Sequence, residues 1–536
     1  MMGRIKGISG PTVSVDMRGL KLYDRVYVGH SMLTGEVVRL EQNMAVIQVY
    51  ENTKGLGIGE PVKSVNMPLT VRLGPGLLMG MFDGLQRPLE MLRESMGPFL
   101  SSGTELYALD CMKKWRFSSL KKTGDPVTRG EIIGYVEEGS FKHFIFSNLE
   151  GRILWTMDGE LSVNDTIAAL EDGKGIPGCS EWPVRVPRPY RKRISSWEPL
   201  LTGQRCIDFL FPLARGGTAI FPGGFGTGKT ILEQTIAKFS DADIVVYVGC
   251  GERGNEMAEM IGEFESLTDP WTGKRLMERT VLVVNTSNMP VAAREASIYT
   301  AVTIAEYYRD MGYHVLLLAD SLSRWAEALR EISSSLEEMP GEEGYPTYLA
   351  SRLAGFFERA GVVETLSGKI GSLTMVLSVS PPGGDFTEPV TQACLRSAGA
   401  FFMLDTALAH RRHFPAINWF QSYSLYEKEL ARHFVEHVSP QWETLKERCR
   451  ELLRREESLR EVAEIVGFEG LQDEDRLLMK VAEMIRMEFL CQNVYTEDAF
   501  SPPGRTIAKI GAMMEYHESA REKLKQGIPL EGISKE

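Results

Sequence analysis

One stretch, Ile220-Phe221-Pro222-Gly223-Gly224-Phe225-Gly226-Thr227-Gly228-Lys229-Thr230, constrains this chain more than any other. From Gly223 to Thr230 it satisfies G-x-x-x-x-G-K-[ST], a loop that wraps main chain around the phosphates of a nucleotide, with successive N–H groups pointing at anionic oxygens. Side chains would obstruct that wrapping. Gly223, Gly224, Gly226 and Gly228 therefore supply bare backbone and the left-handed conformations a tight cradle needs, with Phe225 and Thr227 completing the loop. Lys229 places an ammonium near the β and γ phosphates. The Thr230 hydroxyl is set to ligate Mg²⁺ at the start of a helix whose positive end faces the anion. Ala219-Ile220-Phe221 reads as the end of a buried strand and Ile231 to Phe239 as the helix after it, the context the motif requires. ATP or ADP as substrate, with Mg²⁺, is the chemistry expected.

At 536 residues the chain exceeds one ordinary core, so several domains are expected. Its 43% hydrophobic and 25% charged residues are those of a water-soluble globular protein. A net charge of -12 argues against constitutive nucleic-acid binding, which needs a basic surface. No apolar run approaches the roughly 20 residues of a membrane span, and the start, Met1 to Gly7, has no signal-peptide core. A membrane role is expected to run through partner subunits. The 7 cysteines form no C-x-x-C pair and read as reduced thiols.

Taken in order, residues 1–72 alternate in short runs such as Thr12-Val13-Ser14-Val15-Asp16, separated by glycines, the pattern of a small antiparallel β-barrel. Residues 73–115 read as a linker with one short helical approach. Residues 116–185 form an inserted β-rich module, with strands expected at Thr123–Val127 and Gly130–Val136, closed by the prolines of Trp182–Pro189. Residues 186–430 read as an α/β core with a mainly parallel sheet. Its apolar runs are Ile244–Val248, Val281–Val284, His314–Ala319 and Leu373–Val379, and an amphipathic helix is expected from about Ala292 to Arg309. Residues 431–536 read as a helical domain: Trp442, Leu445, Cys449, Leu452 and Leu453, then Leu477, Val481, Met484, Ile485 and Phe489, recur at helical spacing and read as core.

Ligands of parallel sheets bind at the carboxyl ends of strands. Glu252, just after the run ending at Val248, is the candidate base that polarises a water in line with the γ phosphate, and Arg253 a candidate for stabilising developing charge. Glu256 is an alternative base. Spacing alone leaves equally open a solvated Glu–Arg pair on a loop. Asp320, delivered by the next apolar strand, is the candidate on the metal side. Arg324 is either a phosphate ligand or a partner for Asp320 or Glu327. Ser378–Thr387 reads as a rigid loop suited to an interface or a gate, and an aromatic in Arg411–Phe420 either stacks on adenine or belongs to the core.

Gly249-Cys250-Gly251-Glu252-Arg253-Gly254-Asn255-Glu256-Met257, Asn285 to Ser297, Glu337 to Pro346 and Pro381 to Gln392 together resemble the catalytic A subunits of V-type/A-type rotary ATPases, in the form found in archaea and some bacteria. The resemblance covers nearly the whole chain and is strongest from Trp182 to Tyr426. It implies a RecA-like nucleotide-binding core, with the inserted module as the family's bulge domain. It further implies an A3B3 hexamer with sites at A/B interfaces, central shaft and peripheral stalk subunits, a membrane ion-translocating sector, and a peripheral place on the cytoplasmic side of the membrane. By position it assigns Lys229 and Thr230 to phosphate and Mg²⁺, Glu252 to the attacking water, Arg253 to the γ phosphate, Asp320 to the metal side and Phe414 to adenine stacking. Tyr495 stands where the family usually has phenylalanine. Three positions depart from the pattern: Thr227 replaces the phosphate-loop cysteine of eukaryotic vacuolar enzymes, Leu322 replaces a threonine, and Ser501–Arg505 diverges. The rivals are another hexameric ring ATPase of the protein-export type, a helicase, disfavoured by the acidic balance, and a regulatory subunit that binds nucleotide without catalysis.

Overall fold

The first residues close on themselves. Strands β1 (Met2–Ser9), β2 (Thr12–Asp16), β3 (Asp24–Val28), β4 (Leu33–Leu40), β5 (Met44–Val49) and β6 (Pro61–Pro68) form a closed antiparallel barrel in the order β1-β2-β5-β4-β3-β6. Alternate residues face inward, so Val13, Val15, Val26, Val28, Ile47 and Val62 are fully buried. Closure removes the sheet edges, as the alternating pattern predicts. The structure, a computed structural model, describes residues 2–41, 44–96, 103 and 106–533; residues 97–102 and 104–105 of the expected linker, and the last three residues of the chain, lie outside the described residues. The short helical approach is Leu89–Met96.

The inserted module is two four-stranded antiparallel sheets. One runs Pro126–Val127, Gly151–Thr156, Thr166–Leu170, Gly175–Pro177; the other Phe141–Phe146, Ile132–Glu138, Trp115–Ser119, Gly159–Leu161. Phe117, Val136, Ile153, Ile167 and Ile176 are fully buried in it. The strand expected at Thr123–Val127 is shorter: Gly124 adopts φ +90° and the Lys122 N–H donates to Asp125 Oδ2 at 2.8 Å, so only Pro126–Val127 pairs. An aspartate that closes its own turn outcompetes the ladder there. The chain leaves the module along Ser180–Pro183, antiparallel to Thr70–Leu73.

Beyond the module come β7 (Thr218–Pro222), α1 (Lys229–Phe239), β8 (Ile244–Glu252), α2 (Gly254–Ser266), β9 (Thr280–Thr286), α3 (Val291–Asp310), β10 (His314–Asp320), α4 (Leu322–Ser335) and β11 (Ile370–Val379). Each apolar run of the sequence is a strand. By packing, the chain divides into two compact units, Met1–Ser195 with Ala242–Ser397, and Ser196–Asp241 with Ala398–Glu536. In the first, β11, β10, β8 and β9 pair in parallel in that order, with Met81–Phe82 parallel to β9 and Gly361–Glu364 antiparallel to β11. In the second, β7 lies parallel to Ala400–Phe401, which pairs antiparallel with Tyr423–Ser424.

Helix α3 corrects an expectation. It reads as amphipathic, yet every residue from Ala292 to Asp310 is buried. Its polar side is covered by arginines rather than water. Arg185 bridges Glu295 (2.7 Å) and Glu36 of β4 (2.9 Å), Arg352 donates to Glu295 at 3.0 Å, Arg188 to Asp310 at 2.6 Å, and Arg359 pairs with Glu306. Buried charges persist only when paired and hydrogen-bonded in this way.

In the second unit the expected helical stripes are core. Helices α5 (Trp442–Val466) and α6 (Asp473–Met484) bury Trp442, Leu445, Cys449, Leu452, Leu453, Leu477, Val481 and Met484, and Trp442 stacks on Phe434 with ring centroids 4.4 Å apart. Among the described residues no helix is long and apolar enough to cross a membrane.

Candidate active site

The phosphate loop lies where the motif demands, between β7 and α1 in the second unit. Its glycines serve different ends. Gly226 and Gly228 adopt φ +77° and +83°, the left-handed region that favours glycine. Gly223 is needed for proximity instead: a Cβ there would stand 2.6 Å from Thr227 Oγ1 and 2.7 Å from Leu404 Cβ. Gly224 has only the Thr406 hydroxyl at 3.7 Å, an ordinary contact. Thr227 is buried and its hydroxyl donates to the Gly224 carbonyl at 2.9 Å, so the residue that replaces a cysteine braces the loop from within. Lys229 Nζ donates to the carbonyls of Gly223 (2.7 Å) and Gly224 (3.0 Å), which holds the ammonium over the loop. Thr230 is half-buried in the first turn of α1, and the Phe225 ring is 88% exposed.

Glu252 is the last residue of β8, in the first unit. It is therefore not the loop residue that a bare Glu–Arg pair implies. The parallel register between β8 and β9 slips here: Cys250 pairs with Asn285 and Glu252 with Thr286, leaving Gly251 as a bulge with φ +77°. Bulges beside ligand sites re-aim a side chain, and this one precedes the candidate base. The Glu252 carbonyl accepts from the Ser287 N–H at 2.9 Å. Arg253 is exposed and pairs with Glu256 at 3.4 Å; that contact makes Glu256 a partner of Arg253.

Asp320 closes β10, in register with Gly249 of β8, so Asp320 and Glu252 stand at the carboxyl end of the same parallel sheet. Asp320 is 4% exposed and Oδ1 accepts from the Ser378 hydroxyl at 2.6 Å. Ser378 falls both in the apolar run Leu373–Val379 and at the start of the expected loop; it lies within β11, as the apolar run implies. Of the three alternatives for Arg324, the structure supplies Glu327, at 2.9 Å, and that carboxylate holds the guanidinium above its ordinary value. Leu322 is fully buried in the first turn of α4, so its side chain belongs to the core. Pro382–Gly384 forms a single tight turn after β11, and Asp385 Oδ1 accepts from Thr387, which fixes the loop locally.

Phe414 and Tyr495 lie in the same unit as the phosphate loop. Phe414 is half-buried and its carbonyl accepts from the Gln492 N–H at 2.6 Å, which ties it to the turn carrying Tyr495. Tyr495 is 91% exposed, with its N–H held by Asn493 Oδ1 at 2.9 Å. Both residues are thus tied through their backbone to the segment around Asn493.

Four family descriptions match successive parts of the chain. These are the ATP synthase alpha/beta family beta-barrel domain over residues 5–66, the ATPsynthase alpha/beta subunit barrel-sandwich domain over 106–185, the ATP synthase alpha/beta family nucleotide-binding domain over 203–424, and the C-terminal domain of V and A type ATP synthase over 432–533. Along its length the chain is similar to the A-type ATP synthase A subunit of Methanopyrus kandleri, 51% identical with 99% of this chain and 92% of that one covered. It is likewise similar to the corresponding A-type ATP synthase chain of Methanosarcina barkeri, at 51% with 99% and 93% covered, and to that of Thermococcus onnurineus, at 50% with 100% and 93% covered. Among solved structures, the assembled ATPase EscN of the enteropathogenic E. coli type III secretion system matches with a TM-score of 0.68 over 95% of this chain and 99% of that one, at 22% identity, which is a likeness of fold.

Proposed function

The chain belongs to the family of A-type ATP synthase A subunits, and from that membership we propose that it is the catalytic subunit of a rotary ATPase. It hydrolyses or synthesises ATP at the A/B interfaces of an A3B3 hexamer, and a central shaft couples the reaction to H⁺ or Na⁺ movement through a membrane sector made by other chains. The observation that carries this reading is identity of 51% sustained over 99% of the chain, with the Gly223–Thr230 loop intact between strand and helix. The protein-export rival rests on a likeness of fold at 22% identity. A regulatory role without catalysis is disfavoured by the presence of Lys229, Thr230 and Glu252 together. The chain takes a peripheral place on the cytoplasmic side of the membrane, through its partners.

In this reading the N–H groups of the phosphate loop hold the β and γ phosphates, and Lys229 exchanges its carbonyl partners for phosphate oxygens. Glu252 accepts a hydrogen bond from a water and turns its lone pair toward the γ phosphorus. The new P–O bond forms as the bond to the β–γ bridging oxygen breaks and the water's proton passes to Glu252 and from it to the phosphate, leaving ADP and inorganic phosphate; the reverse path builds ATP. Arg253 and Arg324 offset charge on the phosphoryl oxygens. On the family's assignment Thr230 and Asp320 would each offer Mg²⁺ a hard oxygen donor of the kind it takes alongside nucleotide phosphates. Mg²⁺ held there would offset the negative charge of the phosphates. Phe414 and Tyr495 receive the adenine.

An arginine supplied in trans is worth on the order of 10³- to 10⁵-fold in related NTPases. The test is steady-state ATPase activity of this chain alone and then with its B partner, alongside particle mass. Strong stimulation on forming the hexamer supports interface catalysis. Full activity of the isolated chain, or nucleotide binding without turnover in both states, would overturn it.

A further inference from the structure

We propose that Arg294 is the positioning residue for Glu252, locking the Gly251 bulge that aims the carboxylate. The inference rests on the assignment of Glu252 to the attacking water made above. Arg294 lies in the first turn of α3 and is 9% exposed. It meets each of three consecutive residues at the end of β8 by a different means. The Cys250 thiol donates to the Arg294 carbonyl at 3.5 Å. At Gly251 the stem of Arg294 fills the space over the bare Cα: a Cβ there would come within 3.0 Å of Arg294 Cδ and 3.2 Å of its Nε, and within 2.8 Å of Arg324 Cβ. Glu252 is reached through one relay, since Arg294 Nη2 donates to the Ser287 carbonyl at 2.9 Å and the Ser287 N–H donates to the Glu252 carbonyl at 2.9 Å.

This arrangement has a specific physical consequence. Successive side chains of a strand point to opposite faces, so a bulge that slips or relaxes by one residue turns the side chain after it away from its target. Gly251 offers no side chain of its own to resist such a slip, and its φ of +77° is a conformation that glycine leaves readily. The guanidinium over it supplies the missing restraint. It does so from a helix anchored on the next residue, where Glu295 is held by Arg185 and Arg352. The direction of the Glu252 carboxylate is therefore set by α3 as well as by the strand that carries it.

The test uses the assembled A3B3 complex with R294Q, R294K, E252Q and the double variant R294Q/E252Q. R294Q is expected to lower kcat about 10- to 100-fold, the size of effect a misplaced catalytic group produces, while KM for MgATP holds within about 2-fold. R294K, which keeps the charge and most of the stem over Gly251, recovers part of the loss. In the E252Q background R294Q is expected to add nothing, because it acts through the missing carboxylate. A further loss in that background, of the same factor as in the wild type, would overturn the inference. So would wild-type kcat in R294Q and R294K while E252Q is inactive, a result that leaves the Glu252 assignment standing. Wild-type turnover in E252Q removes the assignment itself, and the inference with it. Should R294Q fail to assemble, R294M, which keeps a stem over Gly251 and removes the donor to Ser287, takes its place; it must lower kcat with KM held, and unchanged kcat overturns the inference.

Discussion

The Ser378 hydroxyl donates to Asp320 Oδ1 at 2.6 Å, inside the sheet and away from solvent. A carboxylate oriented by a hydrogen bond from behind presents its remaining lone pairs in a fixed direction, and such outer partners tune metal affinity by about 10- to 100-fold. S378A is expected to raise the Mg²⁺ concentration for half-maximal turnover about 10-fold, with the thermal midpoint little changed. Magnesium titration of the assembled complex checks it. An unchanged Mg²⁺ requirement would separate Asp320 from the metal.

The two adjacent glycines that open the phosphate loop are predicted to differ. G223A drives a methyl group into Thr227 and Leu404 and is expected to cost about 1 to 3 kcal/mol of stability, the usual range for overpacking. G224A meets only Thr406 at ordinary distance and should be near neutral for stability. Denaturant unfolding of the two variants without nucleotide makes the comparison.

Acid should attack the first unit through Glu295. Burial raises the pKa of this carboxyl, but Arg185 and Arg352 outweigh that and hold it below its ordinary 4.5. The folded state therefore keeps the anion while the unfolded chain takes up a proton. The stabilisation is present in full above pH 4.5 and is lost as pH falls through the lower folded value. E295Q is expected to flatten this part of the stability profile, and to cost about 3 kcal/mol at neutral pH because it leaves the half-buried Arg185 and Arg352 without their shared carboxylate. Thermal midpoints measured against pH test both statements.

The adenine assignment predicts a split between affinity and stability. Tyr495 is exposed and supports little of the fold, so Y495A should leave the thermal midpoint in place while raising KM for ATP about 5- to 10-fold, the worth of one aromatic stack. An unchanged KM would assign adenine to Phe414 alone.

How much of this was legible in the residues follows from the range over which each signal acts. The barrel, the parallel strands and the helical stripes of α5 and α6 declare themselves through local periodicity, and the phosphate loop through a contiguous motif. Helix α3 did not. Its glutamates, arginines and threonines read as a wet face because their partners, Arg185, Arg188, Arg352 and Arg359, lie far away in sequence. The turn at Thr123–Asp125 escaped because an aspartate's bond to a nearby N–H competes with strand propensity without altering the pattern. At the site, Glu252 and Asp320 could be placed at strand ends, whereas Ser378 and Arg294 reach those ends only through tertiary packing.

The sealing of α3 by charge also says how this chain can diverge. Glu295 answers to arginines from two other segments, and Arg185 in turn to a glutamate of the barrel. Neutralising either arginine leaves a buried carboxylate short of a partner, whereas exchanging the whole set for apolar residues of similar volume removes the conflict. Substitutions at Glu36, Arg185, Glu295 and Arg352 should therefore be strongly epistatic. Related chains are expected to keep all four or to replace them jointly, so these positions travel through evolution as one linked character spanning the barrel and the nucleotide-binding core.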